Sequence, residues 1–115
     1  MSVPTLAVEL AIDPVVVSEH SEFDIRGAVR NLGSSDLDTR VYASALLVNG
    51  EPSGTWSLAI MNGLRDEWEF ALPPGQRVEF RRLLPASSLL RGPGRYELIL
   101  DVGGVRSAPV TIECQ

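Results

Sequence analysis

Few side chains in this sequence have the chemistry for catalysis or metal binding. His20, in "VSEHSEF", is the only histidine of 115 residues, and Cys114, in "TIECQ", is the only cysteine. A nucleophile needs a base beside it, and a zinc site needs several nitrogen or sulfur ligands. One chain therefore offers neither a catalytic triad nor a histidine-ligated metal pair. His20 reads as a solvated loop residue, and Cys114, alternating with Ile112, as a buried structural thiol. No phosphate-cradling or dinucleotide-binding glycine pattern occurs. Acidic residues gather in "SSDLD" (Asp36, Asp38) and "RDEWE" (Asp66, Glu67, Glu69). Hard cations need several converging oxygens, but EF-hand spacing is missing and Arg65 compensates locally, so these read as solvated loop charge. The expectation is a non-enzyme with no catalytic residue, no metal and no cofactor.

Aromatic and apolar residues offer more. Trp56 in "GTWSLAIM" and Trp68 in "RDEWEFAL" flank Asn62-Gly63, a dipeptide that favours a two-residue hairpin turn because both positions accept positive φ. A hairpin there makes the two tryptophans cross-strand or diagonal neighbours. Trp68 alternates with Phe70 and Leu72 and reads as core; Trp56 is open to either role, packed core or contact residue. The stretch "RVYASALLV" is apolar on both alternating sets: Val41, Ala43, Ala45 and Leu47, then Tyr42, Leu46 and Val48. Placed beside the strand carrying Ile99, it leaves an apolar strip on the outer face of a sheet, whichever set points inward. Tyr42, Leu46, Ile99 and Trp56 are therefore the candidate interaction surface.

These residues must be positioned by strands. Apolar residues recur with period two in "TLAVELAI" (Leu6, Val8, Leu10, Ile12), "EFDIRGAVRN" (Phe23, Ile25, Val29), "RVEF" (Val78, Phe80), "RYELIL" (Tyr96, Leu98, Leu100) and "PVTIEC" (Val110, Ile112, Cys114). That is the pattern of half-buried strands. Asn49-Gly50 is a second hairpin signal, "NLGSSD" and "LPPGQ" are loops by composition, and "PASSLL" suits a single helical turn. The length fits one domain over residues 1–115. Hydrophobic residues make up 44% and charged residues 22%, ordinary globular usage that argues against disorder. The net charge of −5 runs opposite to the basic footprint of a nucleic-acid binder. All ten basic residues are arginines, scattered along the chain. No run approaches a membrane span of roughly 18–20 apolar residues, and the N-terminus has no basic leader region. If the chain is complete, it is expected to be soluble and cytoplasmic.

The stretch "GPGRYEL", residues 92–98, adds a specific feature. Immunoglobulin-like sandwiches turn a corner before their sixth strand, where a tyrosine hydroxyl bonds back to nearby backbone. Gly92 and Gly94 supply the backbone freedom, Tyr96 the phenol, and Leu98 stands where antibody-type domains carry a cysteine. With "FDIRGAVRNLGSSDL", "LPPGQRVEF" and "GPGRYELILDVGGVRSAPVTIE", the chain resembles bacterial immunoglobulin-like or fibronectin type III-like modules. The cell-adhesion-related domains of bacteria and the intracellular proteinase inhibitors share that look. The resemblance implies an all-β, immunoglobulin-like antiparallel sandwich of seven to eight strands. It implies a non-catalytic binding or assembly module, with a protein partner or self-association through one sheet face, and no nucleic acid or membrane. Two alternatives stay open: a proteinase inhibitor presenting "NGEPSG" or "LPPG" as an extended loop, and a carbohydrate-contacting accessory domain using Trp56.

Overall fold

The computed structural model describes residues 5–61 and 69–115. Among them the chain forms β1 (Leu6–Asp13), β2 (Val16–Val17), β3 (Glu22–Asn31), β4 (Ala45–Val48), β5 (Glu51–Pro52), β6 (Arg77–Pro85), β7 (Gly94–Val102), β8 (Val105–Arg106) and β9 (Val110–Cys114). Two short helices, α1 (Gly54–Met61) and α2 (Ala86–Leu89), and a 3-10 turn at Val41–Ala43 complete the described elements. The strands form two sheets, a smaller one ordered β1-β3-β6 and a larger one ordered β2-β9-β7-β4-β5, with β8 also paired to β7. This is an all-β sandwich.

The strand pieces outnumber the seven to eight read from the sequence because prolines divide two strands. Pro14 has no N–H to give a ladder; before it, β1 pairs antiparallel with β3, and after it, β2 pairs parallel with β9. The first strand thus serves both sheets. Pro109 stands between β8 and β9 in the same way, and Ser107 fills the interruption. Its amide donates to the Leu100 carbonyl (2.8 Å) and its hydroxyl accepts from the Leu100 amide (2.9 Å).

Alternation decides what each strand buries. Phe23, Ile25 and Val29 of β3 are fully buried, as are Leu98, Leu100 and Val102 of β7 and Ile112 of β9. Gly27 sits in the same inward row of β3, opposite Phe80 on β6. A Cβ built on Gly27 would lie 2.5 Å from Phe80 Cζ and 2.9 Å from Leu100 Cδ2. The phenyl ring therefore lies on bare backbone, and only hydrogen lets the two sheets close there. At the end of β3, Asn31 is 1% exposed, and every polar atom of its side chain is used. Its Nδ2 donates to the Ser35 and Leu72 carbonyls, both at 2.8 Å, and its Oδ1 accepts from the Gly33 amide at 2.8 Å. One buried amide thus fixes the "NLGSSD" loop and ties it to the residue that precedes the "PPG" turn.

The corner before β7 is built from the residues quoted above. Gly92 and Gly94 have φ of 109° and 146°, values that L side chains avoid. Tyr96 Oη donates to the Gly92 carbonyl at 2.8 Å, while Leu98, two residues on, is fully buried.

Replacing Gly27 with Ala is expected to lower stability by about 1–3 kcal/mol, because the added methyl must displace a packed ring. Urea denaturation of the variant, read as a midpoint shift at constant m, checks it.

Candidate interaction surface

The residues proposed as a contact strip divide between the two sides of the larger sheet. β4 lies against β7 with Leu46 opposite Leu100 and Leu47 opposite Ile99. Residues directly opposite share a face, so Leu46 joins Leu100 inside and is completely buried. Leu46 and Ile99 therefore do not form one surface. The outward pair is Leu47 and Ile99, with Leu47 only 7% exposed and Ile99 half-buried. Tyr42 is not on the strand at all. The 3-10 turn at Val41–Ala43 breaks "RVYASALLV" before β4 begins, and the half-buried Tyr42 ring packs 5.6 Å from Phe70. The turn is entered through Arg40 in the left-handed region, φ 53°, which resets the alternation that the sequence suggested.

Trp56 is the larger correction. Its stretch is helix α1, and the side chain is fully buried. The indole Nε1 donates to Ser44 Oγ at 3.1 Å, and the ring stands 6.4 Å from Phe80. Trp56 is therefore a core residue, not a contact residue. The helix escaped a periodicity reading because "GTWSLAIM" carries no charge to mark a polar side: Trp56 and Ile60 point in while Leu58 and Met61 are exposed. A signal was present in Ser53, whose Oγ accepts from the Trp56 amide at 3.3 Å, the standard use of serine at a helix start. Asn62-Gly63, Trp68, Asp66, Glu67 and Arg65 lie outside the described residues. Asn49-Gly50 makes the β4–β5 turn with φ of 50° and 86°, and Asn49 Oδ1 also accepts from the Glu97 amide.

The chemically sparse residues are placed as follows. His20 is exposed beside Glu19, at 3.4 Å. Cys114 is a buried free thiol. Asp36 is exposed, Asp38 accepts from the Arg40 amide at 3.1 Å, and Glu69 is buried. Among the described residues, no three His, Cys, Asp or Glu side chains converge to hold a metal ion. A polar groove of about 350 Å³ lies between the start of α1 and the end of α2, lined by Ser53, Thr55, Ser88 and Arg91 among others. Thr55 Oγ1 there already donates to the Ser88 carbonyl (3.0 Å), and Glu51 also lines the groove.

The organised polar surface is the outer face of the smaller sheet. Its rows follow from the pairing registers: Ala7–Arg30–Arg77, Glu9–Ala28–Glu79, Ala11–Arg26–Arg81 and Asp13–Asp24–Leu83. With Glu22 beyond these rows, opposite Pro85, four arginines and five carboxylates of the described residues share this face. Arg77 bonds Glu79 beside it and reaches over the small Ala28 to Glu9, both at 2.9 Å. Asp24 accepts from Arg26 at 2.9 Å. Arg81 Nε stands 3.1 Å from the other oxygen of Asp24 without an aligned hydrogen bond, so that contact is electrostatic attraction alone. The bond to Arg77 holds the Glu9 carboxyl below its usual range, and the bonds to Glu9 and Glu79 raise Arg77 in turn. Arg26 is raised by its bond to Asp24. Arg30 and Asp13 make no ion pair among the described residues. Along each strand these charges alternate with the core residues, but only the register shows which of them meet.

Two sets of variants test these placements. Tyr96→Phe is expected to cost about 1 kcal/mol, and Leu98→Ala about 2–5 kcal/mol by opening a cavity; denaturant midpoints measure both. Leu46→Glu is expected to abolish the cooperative thermal transition, because it buries an unpaired charge, whereas Ile99→Glu keeps it.

No protein-family model matches this sequence, and no curated protein matches it. Solved structures do match in fold. A CARDB domain from Pyrococcus furiosus, crystallised in complex with di-metal ions, superposes with a TM-score of 0.62 at 15% identity, over 95% of this chain and 91% of that one. An alkylpurine DNA glycosylase from Pseudomonas fluorescens, bound to DNA containing an abasic site analog, gives 0.65 at 14% identity, over 96% of this chain and 30% of that one. A β-glucosidase from Erythrobacter marinus gives 0.62 at 13% identity, over 96% of this chain and 15% of that one. At such identities the likeness is one of architecture: the chain is an immunoglobulin-like β-sandwich, similar in fold to CARDB domains.

Proposed function

We propose that this chain is a non-catalytic binding or assembly module that engages protein through the edge of its smaller sheet. The observation that carries the reading is β1. It pairs over eight consecutive residues with β3, without a bulge, and among the described residues no strand pairs with its other side. A long, regular, unprotected edge is a template for another strand. The fold neighbours support the module half of the reading, since the same sandwich forms nearly all of one solved domain and a 15–30% share of two larger enzyme chains.

The alternatives lose their structural footing. The inhibitor reading needs an extended loop, but "NGEPSG" is a tight β4–β5 hairpin running straight into α1. The "LPPG" segment is held by the Gln76 amide donating to the Pro73 carbonyl (3.2 Å) and the Gly75 amide donating to the Asn31 carbonyl (2.9 Å). The carbohydrate reading needs an open indole, and that of Trp56 is buried.

Titrating the ¹⁵N-labelled chain with nine-residue extended peptides of alternating apolar and charged residues tests the edge. The Leu6, Val8, Leu10 and Ile12 amides are expected to shift and to gain exchange protection. Shifts confined to other surfaces, or none with any peptide and none with concentration, would overturn the reading.

A further inference from the structure

We propose that the strand β1 receives is β1 of a second copy, paired antiparallel about a two-fold axis at Leu10 to give one continuous six-stranded sheet. The inference rests on the edge-binding reading above and names the partner.

The backbone sets which groups face the seam. The Leu32 amide donates to the Thr5 carbonyl at 2.7 Å, so in register the odd-numbered residues of β1 bond to β3. The even-numbered ones, Leu6, Val8, Leu10 and Ile12, direct their N–H and C=O groups outward. Their side chains point into the sandwich, and those of Val8 and Leu10 are only partly buried there, so a neighbouring strand would complete their cover. The opposite edge of the sheet is less available. The Arg81 carbonyl of β6 accepts from its neighbour Arg82 at 2.7 Å, and Arg82 also donates to the Ala59 carbonyl of α1.

Charge selects the register. With Leu10 opposite Leu10 of the second copy, Val8 faces Ile12, Glu9 faces Ala11, and Ala7 faces Asp13. Moving the axis by one residue sets Glu9 against Glu9 in one direction and Glu9 against Asp13 in the other; a further step shortens the ladder to residues 6–10. In the favoured register, Arg26 stands across Ala11 from Glu9 of the second copy, and Arg30 stands across Ala7 from Asp13 of the second copy. Each pair spans an alanine, as Arg77 spans Ala28 to reach Glu9 at 2.9 Å within the chain. Arg30 and Asp13 make no ion pair among the described residues, each lying only within Coulombic range of a group that is already paired, Glu9 and Arg26, and the seam gives them each other. A seam this short is small beside the roughly 1,200–2,000 Å² of a stable complex, so a concentration-dependent dimer follows.

Sedimentation equilibrium of the full chain, up to about 1 mM (a standard binding free energy of roughly −4 kcal/mol), tests the proposal with Asp13→Arg, Arg30→Asp and the double variant. Within one chain the two residues lie about 20 Å apart, six residues along an extended strand, so coupling between them must cross the seam. Each single variant is expected to weaken the wild-type dimer by roughly 2–30-fold, since two symmetry-related pairs are lost. The double variant is expected to recover most of that loss, while all three retain the wild-type melting transition. A wild-type chain that stays monomeric overturns self-pairing, and the peptide titration above then decides the edge reading separately. A dimer whose double variant is no better than the singles overturns this seam.

Discussion

The Phe80 ring lying on the bare backbone of Gly27 is the contact on which the sandwich turns. The ring lies across β3 where a Cβ would leave it no room, and Leu100 of the facing sheet packs into the same space. Around that point the two inner faces close: Phe23, Ile25 and Val29 from one sheet, Leu46, Leu98, Leu100 and Ile112 from the other. The Trp56 indole packs near the same phenyl ring, anchored through Ser44. A helix on the flank of the sandwich thus contributes its largest side chain to the core.

With one face of the smaller sheet committed to that core, the other must be compatible with water, and strand alternation delivers it as rows of charge. Small residues at Ala7, Ala11 and Ala28 set the reach of this pattern. Arginine is long enough to cross one alanine to a carboxylate two strands away, and the guanidinium fork bonds two partners at once, as Arg77 does with Glu9 and Glu79. Solvent and salt keep each exposed pair individually weak. The native register itself sets Arg30 beside Arg77, Arg26 beside Arg81 and Asp13 beside Asp24, so the buried inner row fixes the alignment of these strands and the arginine–carboxylate pairs offset the like charges it brings together. The same arginine reach across an alanine ranks the registers open to a further strand at the β1 edge.

The amino-acid sequence determined the features that depend on near neighbours along the chain. Period-two alternation placed β1, β3, β6, β7 and β9, because inside and outside alternate at every residue of a strand. Asn49-Gly50 set a turn, and "GPGRY" set a corner with Gly92, Gly94 and Tyr96 in their roles, because positive φ and a short-range hydroxyl bond are local requirements. The scarcity of histidine and cysteine bounded the chemistry before any fold was known.

Only the tertiary structure decided the features that depend on what lies opposite. Both alternating sets of "RVYASALLV" are apolar, so nothing local could choose between Leu46 and Leu47. The choice fell to the register with β7, which sets Leu46 against the buried Leu100, and to the turn at Val41–Ala43 that resets the phase. "GTWSLAIM" carries no charge to mark a polar side, so periodicity could not distinguish strand from helix, and the flank of the sandwich settled that it coils with Trp56 inward. The charges of β1, β3 and β6 were legible one by one. That Arg77 meets Glu9, a residue 68 positions away, while Arg30 and Asp13 make no ion pair among the described residues, is a property of strand pairing, and pairing is a long-range constraint that no single stretch of the chain contains.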